Sequence, residues 1–412
     1  MVLCATKMRV TFIIGLSLVL LTSLSVFPQS ATQSHQARSG SAADSALSPK
    51  EDKRSSSREN YIGDEACNAC HREKVETFHQ TAHYLTSRLP GKDSILGKFT
   101  PGANAPTTSN PELSYRMEEK KDGFFQTAVF GIPPYTTEHT ERFDLVIGSG
   151  GKGQTYLYWK GDQLFQLPIS YWNELGWVNS PGYRDGVANF DRPVVPRCLE
   201  CHATYFESIP PPPNRYNKTG FVVGITCEKC HGPGREHARR ESSTLSQSSD
   251  SAMLNPAKFS RERQIDLCAW CHAGQGIESA KAFSYLSGEP LNNYLTLPQP
   301  DPNAQVDVHG SQVELLKKSR CFQSSGMTCL TCHDVHARQH DASAFSKQCL
   351  SCHKPDTAMF PKLGHQADSN CIDCHMPSQE TNLIVFDWNG KKARPRVRSH
   401  WIKNYPETAR SN

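Results

Sequence analysis

Seven times in 412 residues, a cysteine pair at C-x-x-C spacing is followed at once by histidine. The seven are CNACH (Cys67, Cys70, His71), CLECH (Cys198, Cys201, His202), CEKCH (Cys227, Cys230, His231), CAWCH (Cys268, Cys271, His272), CLTCH (Cys329, Cys332, His333), CLSCH (Cys349, Cys352, His353) and CIDCH (Cys371, Cys374, His375). This is the spacing of covalent haem c attachment. Two thiols on one short turn bond the porphyrin vinyl groups, and the next imidazole reaches the iron as proximal ligand. Zinc ribbons need two pairs per metal and no appended histidine, and a disulfide framework fixes neither spacing nor histidine. The expectation is seven covalently attached haem c groups using fourteen of the sixteen cysteines.

Setting aside the seven proximal histidines and His35, nine of the seventeen histidines remain: His79, His83, His139, His237, His309, His336, His340, His365 and His400. Nine candidates for at most seven open positions suit a largely bis-histidine protein, whose low-spin haems pass electrons. His336 follows proximal His333 by three residues, a reach of at most about 11 Å even when extended. If it binds iron, that iron belongs to a neighbouring haem. His79 and His83 are four apart in a helical pattern and share one face, so one of them is expected to ligate. His139 and His309 are weaker distal candidates. Cys321 stands outside every pair and reads as a buried thiol, an iron ligand or a reactive thiol; Met327 and Met376 read as packing residues.

The elements that hold these residues are poor in apolar material. Exchanging Tyr for Gly in the 37% apolar fraction gives about 40%, below the usual 45–50%, so macrocycles are expected to supply the missing core. A net charge of +4 with 21% charged residues fits neither a disordered acidic chain nor a nucleic-acid binder. Residues 1–30, with Lys7 and Arg9 ahead of an uncharged apolar run, read as a signal peptide, and an uncleaved N-terminal membrane tether stays open. Residues 31–60 read as a flexible linker and 61–412 as the haem domain. Within it, about 113–176 lacks haem motifs. FFQTAVF, RFDLVIGSG and QTYLYWKGDQLFQLPISYW alternate β-branched and aromatic residues around Gly161-Asp162 and predict a small β insert. GSGGKG at Gly148–Gly153 reads as a turn lying against a haem edge. The basic tail Lys391, Lys392, Arg394, Arg396 and Arg398 either pairs with haem propionates or is a solvated surface run.

HQTAH (His79–His83), CEKCHGPGREH (Cys227–His237), MTCLTCHDVH (Met327–His336) and CIDCHMP (Cys371–Pro377) resemble the multihaem cytochromes of the cytochrome c-554 type. They are also similar to the haem region of hydroxylamine oxidoreductases. The resemblance runs from about Tyr61 to Trp401. It implies a mainly α fold with long loops around stacked haems, in the periplasm. It also implies distal ligation by His83 and His237, and less firmly by His336, His365 and His400. The chain departs from tetrahaem members in its seven motifs and its haem-free insert. The C-x-x-C-K variant of ammonia-forming nitrite reductases is absent, and neither Tyr294 nor Tyr405 is singled out as a crosslinking tyrosine. The expected function is an exported electron relay between a donor and an acceptor protein, without nucleic acid. The alternative is an oxidoreductase with one five-coordinate haem acting on hydroxylamine, nitrite or a sulfur oxyanion. A third reading makes the β insert a docking module.

Overall fold

The computed structural model describes residues 57–243, 253–274, 276–298, 305–339, 341–354 and 370–405. The expected signal segment, most of the linker, His35, His340 and His365 lie outside the described residues.

The expectation of a mainly α fold is overturned: helix and strand each account for 27% of the structure. Helices are short because each has only to hold two thiols and one imidazole. Pro196–His202, Cys227–His231 and Cys371–His375 span seven, five and five residues, too few to stand without tertiary support. The longer ones are Asp64–Phe78 and Arg261–His272. The latter is capped by the Ser260 hydroxyl, which accepts from the Arg263 N–H.

Strands fill most of Leu113–Asn179 and extend beyond it, so the β part is larger than a small insert. Leu113–Lys120, Gly123–Ile132 and Tyr135–Arg142 form an antiparallel three-stranded sheet. A seven-stranded sheet is built around Gly153–Lys160, which pairs with Leu145–Ile147, Gln163–Gln166 and Ile169–Trp172. Ser87–Arg88, Arg192–Pro193 and Gly176–Asn179, the last paired with Ile169–Trp172, are its outer strands. The Gly161-Asp162 turn needs a positive φ at its first position, and Gly161 supplies 64°. Alternation places Tyr115, Met117, Tyr156, Tyr158 and Phe143 inside, each at most 1% exposed, with Trp177 and Leu167 in the same core. A second core joins Leu145, Leu157 and Leu164 to Leu199, Tyr205, Phe206 and Tyr216. The β part thus has an ordinary apolar core of its own. The rest of the chain is wrapped around a cavity.

Candidate haem-binding site

One connected cavity of about 3040 Å³ is lined by all seven proximal histidines and by thirteen of the fourteen motif cysteines, Cys198 excepted. It is several times the volume of a pocket for one small ligand, which runs to about 1,000 Å³ at most.

Thiols of different motifs meet in the cavity wall. Cys67 lies beside Cys227, Cys201 beside Cys271, Cys268 beside Cys329 and Cys349 beside Cys371. Burial pushes the Cys230 thiol up to about 11. Cys332 lies close enough to Cys349, and Cys230 to Cys268, to be felt electrostatically. These contacts order the motifs as first, third, fourth, fifth, sixth and seventh, with the second beside the fourth. Asp64, Cys67 and Cys227 also sit close enough to hold a metal ion, but both sulfurs belong to haem motifs and would be thioethers in the loaded protein.

The imidazoles supply the sharpest fit test. A ring centroid lies about 1.1 Å from its nitrogen and a metal–imidazole bond is about 2.0 Å, so two trans ligands place centroids about 6.2 Å apart. Four pairs meet this spacing: His71–His237 at 6.4 Å, His83–His272 at 6.2 Å, His231–His336 at 6.0 Å and His333–His400 at 6.2 Å. Each joins a motif histidine to a histidine outside any motif, and His336 faces the third motif rather than its own. The ring planes are near parallel in three pairs, at 21°, 29° and 23°, and near perpendicular in His83–His272, at 74°. Burial lowers the proton affinity of His83, His202 and His400 to about 4, so at neutral pH these rings are neutral and have a lone pair to give.

Second partners fix which nitrogen faces inward. Nδ1–H of His231 donates to the Leu254 carbonyl at 2.7 Å, and that of His375 to the Lys403 carbonyl at 2.9 Å. His272 Nδ1 lies 3.2 Å from Gln312 Oε1 and His202 Nδ1 2.9 Å from Thr86 Oγ1. In each case Nε2 is left for iron.

His79 is held elsewhere. Its Nε2 donates to Asp64 Oδ2 at 3.0 Å and its ring stacks on Tyr84. His139 is not brought to the motifs: it lies on the strand Tyr135–Arg142, opposite Ala128, bonded to Glu141 and packed at a tilt against Phe190. That corrects its place among the distal candidates. His309 lines the cavity and is within electrostatic reach of His202 and His272. Among the described residues, no second imidazole ring stands across from His202 at the axial spacing. Cys321 also lines the cavity, near Cys332 and Cys349. Residues 148–149 and 151–153 of the glycine-rich loop are in the cavity wall as well.

Two acidic residues lock the first and third motifs together, and sequence reasoning passed over both. Glu228, an x residue of CEKCH, is 2% exposed. Its carboxylate accepts from the N–H groups of Ile62, Gly63 and Gly234, at 2.9, 2.9 and 2.8 Å. Gly63 precedes the helix of Cys67–His71, and Gly234 precedes the helix of His237. Asp64 returns the favour by accepting from the Cys227 N–H at 3.2 Å. An acidic residue at a helix start is the only signal the sequence carries for either. The second and fourth motifs are joined by Arg197, which lies 4.6 Å over the Trp270 ring and donates to the Trp270 carbonyl.

The family model for cytochrome c554 and c-prime matches residues 184–232, which hold the second and third motifs. The dissimilatory sulfite reductase MccA of Wolinella succinogenes is 23% identical over 393 residues, covering 77% of this chain and 50% of that protein. The chain thus spans about half the length of that curated relative. The crystal structure of the outer cell wall cytochrome OcwA superposes with a TM-score of 0.51 at 18% identity, over 86% of this chain and 82% of that one. That likeness is one of fold. Motifs, cavity, imidazole spacing and comparisons converge: the chain is similar to multihaem c-type cytochromes, and its second and third motifs match the cytochrome c554 and c-prime model.

Proposed function

We propose that the chain carries seven haem c groups, one per motif, and relays electrons between a donor and an acceptor protein outside the cytoplasm. The observation that carries this reading is the set of four imidazole pairs at 6.0–6.4 Å within one cavity. When bound, the haems supply one-electron redox chemistry; every other role falls to the chain. The motif cysteines anchor. The motif histidines ligate on one side, and His83, His237, His336 and His400 on the other. Held between two imidazoles, these four irons would have no position left for a substrate, which suits transfer rather than substrate chemistry. His309 and His365 are the remaining distal candidates. Residues 1–30 direct export and 31–60 link to the haem domain 61–412, with the stretch of about 113–176 haem-free. Among the described residues no helix is long and apolar enough to cross a membrane.

A second reading concerns the irons whose motif histidine faces no ring. Among the described residues His202, His353 and His375 have no imidazole across from them at axial spacing, the candidates His340 and His365 lying outside those residues, and a relative bears the name sulfite reductase. An open face at one of these haems would allow reduction of sulfite, nitrite or hydroxylamine there. Mass spectrometry of the purified holoprotein, with pyridine haemochrome quantitation, tests the count, and seven haems per chain is expected. Reduced methyl viologen with each substrate then separates the readings. The relay predicts no turnover, and steady viologen oxidation with one substrate establishes the oxidoreductase.

A further inference from the structure

In the motif order set by the thiol contacts, the seventh motif stands at one end. The chain leaves it directly into an irregular hairpin. Ser378–Glu380 pairs with Arg396–Arg398, and Phe386–Trp388 pairs with Lys391–Ala393. The hairpin is held rigidly. Asn389 and Gly390 turn it with positive φ values of 47° and 70°. Asp185 Oδ2 accepts from the Gly390 N–H at 2.7 Å, and Asn179 donates to the Asp387 carbonyl at 2.6 Å.

The returning arm separates its side chains into two sets. Pro395, Val397, Arg398 and His400 line the cavity, and His400 is the candidate ligand opposite His333. Arg394 and Arg396 are exposed and do not line it, as the two-residue period of a strand requires. Lys391 and Lys392 are exposed near the turn. Five basic and no acidic residues occupy 391–398 in a chain whose net charge is only +4. Arg398 is bound by Asp373 at 2.7 Å, and Arg396 lies 3.8 Å from Glu380. Lys391, Lys392 and Arg394 have no ion pair among the described residues. Arg398 and Lys403, on the cavity side, are the cations placed to meet haem propionates; Lys391, Lys392, Arg394 and Arg396 are not. Leu383, 52% exposed, lies in the stretch 381–385 that interrupts the hairpin opposite residues 394–395.

We propose that this outer face, basic around Leu383, docks an acidic redox protein that exchanges electrons with the seventh haem. The inference rests on the relay reading. Charge complementarity selects the occupant: a fixed face on which Lys391, Lys392 and Arg394 have no ion pair among the described residues steers an acidic partner and repels a basic one. Steering of this kind is worth about 10- to 1,000-fold in association rate and fades with salt.

The test is stopped-flow reduction of the full, haem-loaded protein by flavodoxin hydroquinone as an acidic protein donor, across ionic strength. A neutral small-molecule reductant is run in parallel. The wild-type rate with flavodoxin is expected to fall as salt rises. Lys391→Glu combined with Lys392→Glu and Arg394→Glu is expected to lower it at least about tenfold at low salt and flatten the salt dependence. The rate with the neutral reductant and the haem spectrum should stay unchanged. Lys391→Gln with Lys392→Gln should fall between. An unaltered flavodoxin rate in the triple variant overturns the docking face while leaving the relay reading intact. Equal losses with both reductants also overturn it, since the face would then serve haem-site integrity. Loss of binding to phosphatidylserine vesicles with an unaltered flavodoxin rate would assign the face to anionic lipid instead.

Discussion

Replacing Glu228 by alanine should uncouple the first haem from its distal ligand. The carboxylate is almost fully buried and accepts three backbone N–H groups, from Ile62, Gly63 and Gly234. Each buried donor left without an acceptor costs about 1–3 kcal/mol. Allowing one donor to find water, the Ala variant should lose about 2–6 kcal/mol. The glutamine variant keeps one oxygen that accepts two of the three and presents its amide hydrogens to the third, for a loss of about 1–3 kcal/mol. Because Gly63 and Gly234 start the helices of His71 and His237, the damage should fall on that pair. The assay is guanidinium unfolding of the holoprotein, followed by the low-spin Soret band, with ferric spin counting in native buffer. Glu228→Ala should shift the midpoint down and convert about one iron per chain to high-spin. An Ala variant within about 0.5 kcal/mol of wild type, with unchanged spin state, would refute this account of how the first and third motifs are joined.

Other substitutions separate ligands from bystanders. His336→Ala should make one iron high-spin and leave haem content unchanged, measured by electron paramagnetic resonance and pyridine haemochrome. His139→Ala should change neither, and should alter stability by no more than about 0.5 kcal/mol in a denaturant titration, as for an ordinary surface site. Thr86→Val removes the hydroxyl beside His202 Nδ1. A ring that loses its Nδ1–H acceptor donates less electron density to its metal, so one haem should titrate at a higher potential in spectroelectrochemistry while the others stay in place.

What the sequence shows depends on how local the constraint is. The motifs and proximal histidines are five-residue statements and can be read directly. Distal ligation is not local. His79 and His83 share a helical face in the sequence, yet the helix ends at Phe78 and Asp64, fifteen residues back, takes His79. Reach alone argues against His336 binding its own motif's iron, but the choice of His231 as its facing ring depends on how the third and fifth motifs meet. Glu228 reads as filler between two cysteines because two of its three partners lie 166 and 165 residues away. The expectation of a mainly α fold failed for a physical reason. Short helices suffice where cofactors provide the packing, whereas Tyr135–Arg142 carries almost no apolar signal yet is held as a strand by its neighbour Gly123–Ile132.

The central claim is that four pairs of imidazoles clasp four irons. Ferric electron paramagnetic resonance with spin quantitation tests it most directly, because ring orientation is visible in the spectrum. Near-parallel imidazole planes split the iron π orbitals and give ordinary rhombic low-spin signals, whereas near-perpendicular planes leave them almost degenerate and give a single large-g feature. The pairs at 21°, 29° and 23° predict at least three rhombic bis-imidazole spins per chain, and the pair at 74° predicts at least one of the large-g type. Fewer than four bis-imidazole low-spin irons per chain, or no large-g signal, would contradict the account.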